Sequence, residues 1–177
     1  MNYYTQFDPS RSTELQVIRN GFFKPVYKLT DSQNEYGSLS CNDMWQREKK
    51  ITTANGEWIV RSIGFLGKET QIIDALKGEL VGTIKRNGWG TRTTVEMNNG
   101  FNAMLARGEG FFSRTINLIN DQYGVCVSVK STCRCKTPFT VSIDLELIKT
   151  TFPIALITLI GVNLVLLRQA EAAAIAT

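Results

Sequence analysis

The chain has 177 residues, 43% hydrophobic and 20% charged, the balance of one folded soluble domain and not of a disordered chain. Its 20 Lys and Arg against 16 Asp and Glu give a net charge of +4, too small by itself to name an acidic partner. Histidine is absent, which removes Ser-His and Cys-His nucleophile pairs, His-ligated metals and the commonest general base. No clustered carboxylate or lysine motif takes their place, so the expectation is a protein that is no enzyme and needs no cofactor.

Met1 to Asn20 is polar with scattered aromatics. It reads as an N-terminal arm, residues 1–20, with a short helix over Ser12 to Ile18. Met1 to Arg11 has no apolar core of signal-peptide length, so a cytoplasmic location with reduced thiols is expected. The folded domain is expected over residues 21–177. Strand signals begin at Phe22 to Leu29, break at the turn-rich Thr30 to Asn34, and resume at Tyr36 to Ser40. Cys41 to Glu48 reads as a loop or short helix around Trp45.

From residue 50 onward a rhythm sets in. Turn glycines fall at Gly56, Gly78, Gly100 and Gly124, spaced 22, 22 and 24 residues apart. Each opens a strand-like run, and a second run lies between each pair: Thr70 to Ile73, Arg92 to Met97, Arg114 to Ile119. This period fits two strands and two turns, an antiparallel meander of hairpins. Asn55-Gly56 and Asn99-Gly100 are hairpin-turn dipeptides. In Val141 to Leu147 every odd position is apolar and every even one polar, which predicts one buried and one wet face.

Thr150 to Leu167 is a stretch of 18 residues without a charge, between Lys149 and Arg168. Pro153 suits a first helical turn, with Thr150 or Thr151 as N-cap. The Ala-rich tail carries the predicted helix over about 152–176. It is apolar on all sides, so it is either a protein's core or a membrane span, and its length fits both. The strands decide. A long meander has edges that closure into a barrel removes. A barrel of about twelve strands is too wide for its own side chains to fill. A helix threaded through it supplies the missing core. The predicted fold is therefore mainly β: a closed antiparallel barrel of about twelve strands around a C-terminal hydrophobic helix.

This order of hairpins, alternating strand and terminal hydrophobic helix resembles the tubby C-terminal-like superfamily, which includes tubby domains, phospholipid scramblases and LURP-one-related proteins. The resemblance covers roughly Phe22 to Arg168. Its phrases are Ile72-Ile73-Asp74-Ala75-Leu76-Lys77-Gly78-Glu79-Leu80-Val81-Gly82 and Asn117-Leu118-Ile119-Asn120-Asp121-Gln122-Tyr123-Gly124. The compact size is most similar to the LURP-one-related members. The resemblance implies a twelve-stranded barrel around a central helix. It implies neither the scramblases' calcium site, since only Asp144 and Glu146 lie near the helix, nor the tubby phosphoinositide signature, which has no residue-by-residue match.

Four groups of residues are candidates for a site. Lys85, Arg86, Trp89 and Arg92 form a glycine-rich run with three cations and no acid. Gly88 and Gly90 let backbone amides approach an anion, and Trp89 suits a lipid interface. A plain hairpin with solvated charges is the bland reading. Lys130 to Lys136 is a second acid-free run. Cys41, Cys126, Cys133 and Cys135 could make a zinc site, but Cys-x-Cys departs from Cys-x2-Cys, and idle reduced thiols are expected, with no metal. Asn163 and Thr158 on the helix mark either a lumenal polar site or groups bonded to a helix carbonyl or a buried water. No platform of aromatics interleaved with basic residues is present, so no nucleic acid is expected. The functional expectation is a non-enzymatic binding or scaffold module docking on anionic lipid headgroups, peripheral at the membrane. The alternative is a tail-anchored protein using the helix as a transmembrane span.

Overall fold

The computed structural model describes residues 3–8, 12–41, 48–64, 69–87, 92–108, 113–144 and 152–175. Twelve strands and one helix are formed by them. The strands are β1 (Glu14–Asn20), β2 (Val26–Thr30), β3 (Glu35–Cys41), β4 (Glu48–Thr53), β5 (Gly56–Ile63) and β6 (Glu69–Asp74). They continue as β7 (Leu80–Arg86), β8 (Thr93–Met97), β9 (Asn102–Arg107), β10 (Thr115–Asn120), β11 (Gly124–Ser131) and β12 (Phe139–Ile143). Each pairs antiparallel with its neighbours in sequence, and β1 pairs with β12, Leu15 opposite Val141, to close the barrel. The helix α1 (Ile154–Ile175) follows.

The strand that closes the barrel lies in the stretch read as an arm. Glu14–Asn20 is a strand, not a helix, and belongs to the folded domain. Leu15 and Val17 point inward and are buried, while Glu14 and Gln16 are exposed. That is a period of two, too short and too sparsely apolar to stand out beside the later hairpins. The Cys41 to Glu48 reading around Trp45 lies largely outside the described residues, as does the continuation of the alternating strand beyond Asp144.

In a meander, alternate turns fall at opposite ends of the barrel. The turn glycines of the 22-residue rhythm therefore share one rim, called lower here, because two strands bring the chain back to the same end. Gly100, with φ 91, occupies the left-handed region that the turn from β8 to β9 requires. The helix starts at this lower rim, where Phe152 packs edge-on against Phe101. It runs up the lumen and leaves at the upper rim, where Glu171 pairs with Arg86 at the end of β7.

Residues 155–165 of α1 are buried without interruption. Leu156, Leu159, Ile160 and Val162 meet the inward side chains Leu29, Leu39, Ile51, Leu118 and Val129 in one core. Each large apolar side chain buried there contributes roughly 1.5–3 kcal/mol. One wall approaches especially closely: a Cβ placed on Gly37 of β3 would lie 2.7 Å from the Thr52 carbonyl oxygen and 3.0 Å from Leu159 Cδ1. The helix is long and apolar enough to cross a membrane by length and composition, with 61% of that window buried inside the protein.

Candidate functional site

Upper and lower rims differ in charge. The lower-rim turns and strand ends carry Asp31, Asp74, Glu79, Asp121 and Asp144, with Lys77 among them. The upper-rim connections carry Lys24 between β1 and β2, Arg92 between β7 and β8, Arg114 between β9 and β10, and Arg134 and Lys136 between β11 and β12. Among the described residues these upper connections hold no acid. Arg86 and Arg107 end their strands at the same rim, and Arg168 leaves the lumen there on α1. Glu48 and Glu69 begin strands at that rim and Glu171 lies there on α1, yet among the described residues its cations outnumber its acids, and at the lower rim the balance is reversed.

The two acid-free runs thus sit on one rim, with the connection between β9 and β10 separating them. The first run is less free than its sequence implies. Lys85 Nζ donates to Glu96 Oε2 at 2.6 Å across the β7–β8 pair, and this bond raises its pKa. Arg86 donates to Glu171 of α1. Both acids come from outside the run, which is why a linear reading misses them. Such surface pairs contribute about 0–1 kcal/mol. Arg92 makes no ion pair among the described residues, and its backbone N–H is capped by Asn87 Oδ1 at 3.0 Å. Trp89, with Gly88 and Gly90, lies outside the described residues.

The upper rim also carries a feature that strand propensity concealed. Phe22 and Phe23, read as the start of a strand, stand in the connection between β1 and β2. They are 82% and 93% exposed and pack edge-on at 5.3 Å. The signal available was Gly21 just before them, with φ 81, and Pro25 after them, both turn residues. Adjacent exposed rings on a folded domain invite a partner that covers them.

Between α1 and β9 to β11 the rim opens into a cavity of about 610 Å³, lined by Arg107, Arg114 and Arg168 with Ser131, Thr132 and Gln169. Burial pulls the Arg168 pKa down. A second cavity lies between α1 and β1 to β4 and includes Arg19, Tyr27, Cys41 and Lys49. Lys49 projects inward from β4 in phase with Ile51 and Thr53, and its Nζ donates to Asn163 Oδ1 at 2.7 Å. This is the partner that Asn163 needs inside the barrel. Thr158 Oγ1 is buried with no hydrogen-bond partner among the described residues.

The cysteines do not gather. Cys133 and Cys135 are exposed on the upper connection, Cys126 is buried in β11 with its thiol pKa raised by burial, and Cys41 lines the second cavity. Among the described residues no group of three or more Cys, Asp or Glu is placed to hold a metal ion.

Comparison of the chain with family models, with curated proteins and with solved structures returns no match. The chemistry of the rim is therefore the basis for function.

Proposed function

We propose that the chain is a non-enzymatic binding module of tubby-like kind, which docks its upper rim on anionic membrane lipid. One observation carries this reading: the exposed Phe22–Phe23 pair shares a rim with the connections bearing Lys24, Arg92, Arg114, Arg134 and Lys136, which hold no acid among the described residues. Cations near an anionic leaflet contribute about 1 kcal/mol each, and rings inserted at the interface add hydrophobic contact. Neither alone gives firm binding; together on one face they do. The barrel-around-helix architecture supports the tubby-like kinship in general form. Burial of residues 155–165 favours peripheral docking over a tail anchor, since an inserted helix would leave the lumen without its core.

Cosedimentation with vesicles of phosphatidylcholine and phosphatidylserine tests the reading. The protein is expected to pellet at low salt and to release near 1 M salt, where the Debye length is about 3 Å. Phe22→Ser with Phe23→Ser, and separately Lys85→Ala, Arg86→Ala and Arg92→Ala together, are expected to weaken pelleting. Equal binding by parent and both variants, or none at low salt, rejects lipid docking.

A further inference from the structure

The cavity between α1 and β1 to β4, about 580 Å³, lies within the usual range of small-molecule sites. Its polar wall is cationic. Lys49 is 4% exposed, and its only hydrogen bond among the described residues goes to the neutral Asn163. An ammonium has three N–H donors. Arg19 Nε is buried beside the same space with no hydrogen-bond partner among the described residues. Among the described residues no carboxylate lines the cavity. Buried charges are normally paired, since an unpaired one forfeits its solvation without return. Two inward cations without an acid therefore form a receptor for an anion. Burial above all, with Cys41 opposing it and Arg86 adding to it, pulls the Lys49 pKa down. Apart from Gln169 and the Tyr27 hydroxyl the remaining wall is largely apolar, and Leu166, Ala170 and Ala173 of α1 lead towards the rim.

We propose that this cavity binds a single-chain amphiphile, with an oxyanion head, carboxylate or phosphate monoester, between Arg19 and Lys49 and an apolar tail along α1. The Tyr27 hydroxyl stands beside the head as a further donor. Binding of this kind needs no bilayer and goes beyond docking of the rim.

The test uses the full chain in vesicle-free solution, titrated calorimetrically with dodecanoate, dodecyl phosphate, dodecanol and inorganic phosphate, each below its aggregation threshold. At least one anionic amphiphile is expected to bind about tenfold or more tighter than dodecanol and inorganic phosphate, and the tighter of the two identifies the head. Alkylation followed by mass spectrometry gives a local readout: the bound amphiphile slows labelling of Cys41 and leaves the exposed Cys133 and Cys135 unchanged. Lys49→Met, which keeps the apolar stem, and Arg19→Gln are each expected to weaken binding about tenfold. Ala173→Phe, at an exposed helix position, fills the cavity without touching a charge or the core. Its loss of binding at an unchanged melting temperature separates occupancy from misfolding. Dodecanol or inorganic phosphate binding as tightly as the anionic amphiphiles, unchanged Cys41 labelling, or an Ala173→Phe variant that binds like the parent overturns the proposal.

Discussion

Thr158 places a hydroxyl in the lumen where no group among the described residues receives it. A buried polar group without a partner costs about 1–3 kcal/mol, and valine has nearly the same shape without the hydroxyl. Thr158→Val is expected to stabilise the barrel by about 1 kcal/mol, seen as a rise of about 2–4 °C in melting temperature for a chain of this size. An unchanged or lower value would mean that the hydroxyl is satisfied. Asp31, in the turn after β2, shows the reverse. Its carboxylate accepts the Tyr36 hydroxyl at 2.5 Å and the backbone N–H groups of Gln33 and Asn34. The Tyr36 hydrogen bond above all, then those N–H groups, holds its pKa well below the ordinary carboxylate value. A depressed pKa contributes stability that is complete above the unfolded value, about 3.9, and is lost as pH falls through the folded one. Near neutral pH, Asp31→Asn is expected to cost about 1 kcal/mol, the turn being partly exposed. In acid titration monitored by circular dichroism, the gap between parent and variant should narrow below about pH 4.

At the scale of elements, β1 and α1 hold the barrel together from two sides. β1 supplies the ladders to both β12 and β2, and without it two edges open. Deleting residues 1–20 is expected to abolish cooperative unfolding and give aggregates, read by calorimetry and size exclusion; a soluble, cooperatively melting product would make the segment a dispensable arm. The contact of α1 with β3 depends on Gly37. A methyl group there meets a backbone carbonyl oxygen as well as Leu159, so the strand pair or the helix must shift. Gly37→Ala is expected to destabilise by about 1–3 kcal/mol, measured by urea denaturation.

For the whole molecule the charge axis is the consequence that matters most. Screening and steering act on the field of a surface, so a basic upper rim presents the protein end-on to an anionic surface. Arg114→Ala with Lys136→Ala is expected to reduce the vesicle-bound fraction at low salt severalfold. At about 0.1 M salt, where the Debye length is about 10 Å, Glu79→Gln with Asp121→Asn at the opposite rim should leave it within about twofold, because those charges lie farther off and are screened. Equal effects from both pairs would mean that net charge alone governs association.

Much of this fold was legible in the chain. Period-two alternation, turn glycines returning every two strands and a helix apolar on all sides report local geometry and burial, which each residue's neighbours largely determine. They sufficed for a barrel of about twelve strands around a helix. The closing strand was missed because only Leu15 and Val17 mark its buried face. The candidate site was legible only in part. Lys85, Arg86 and Arg92 stood out as a cluster, but Glu96 and Glu171 reach them from the neighbouring strand and the helix. Nothing in the linear chain singles out Lys49 or Arg19. Tertiary structure alone decided that Lys49 meets Asn163, that Arg19 shares its cavity, and that the basic connections share a rim with Phe22 and Phe23. Pairing partners and the sorting of charge are set by which strands become neighbours and which ends coincide. Those are properties of closure, and a linear chain states them at no single position.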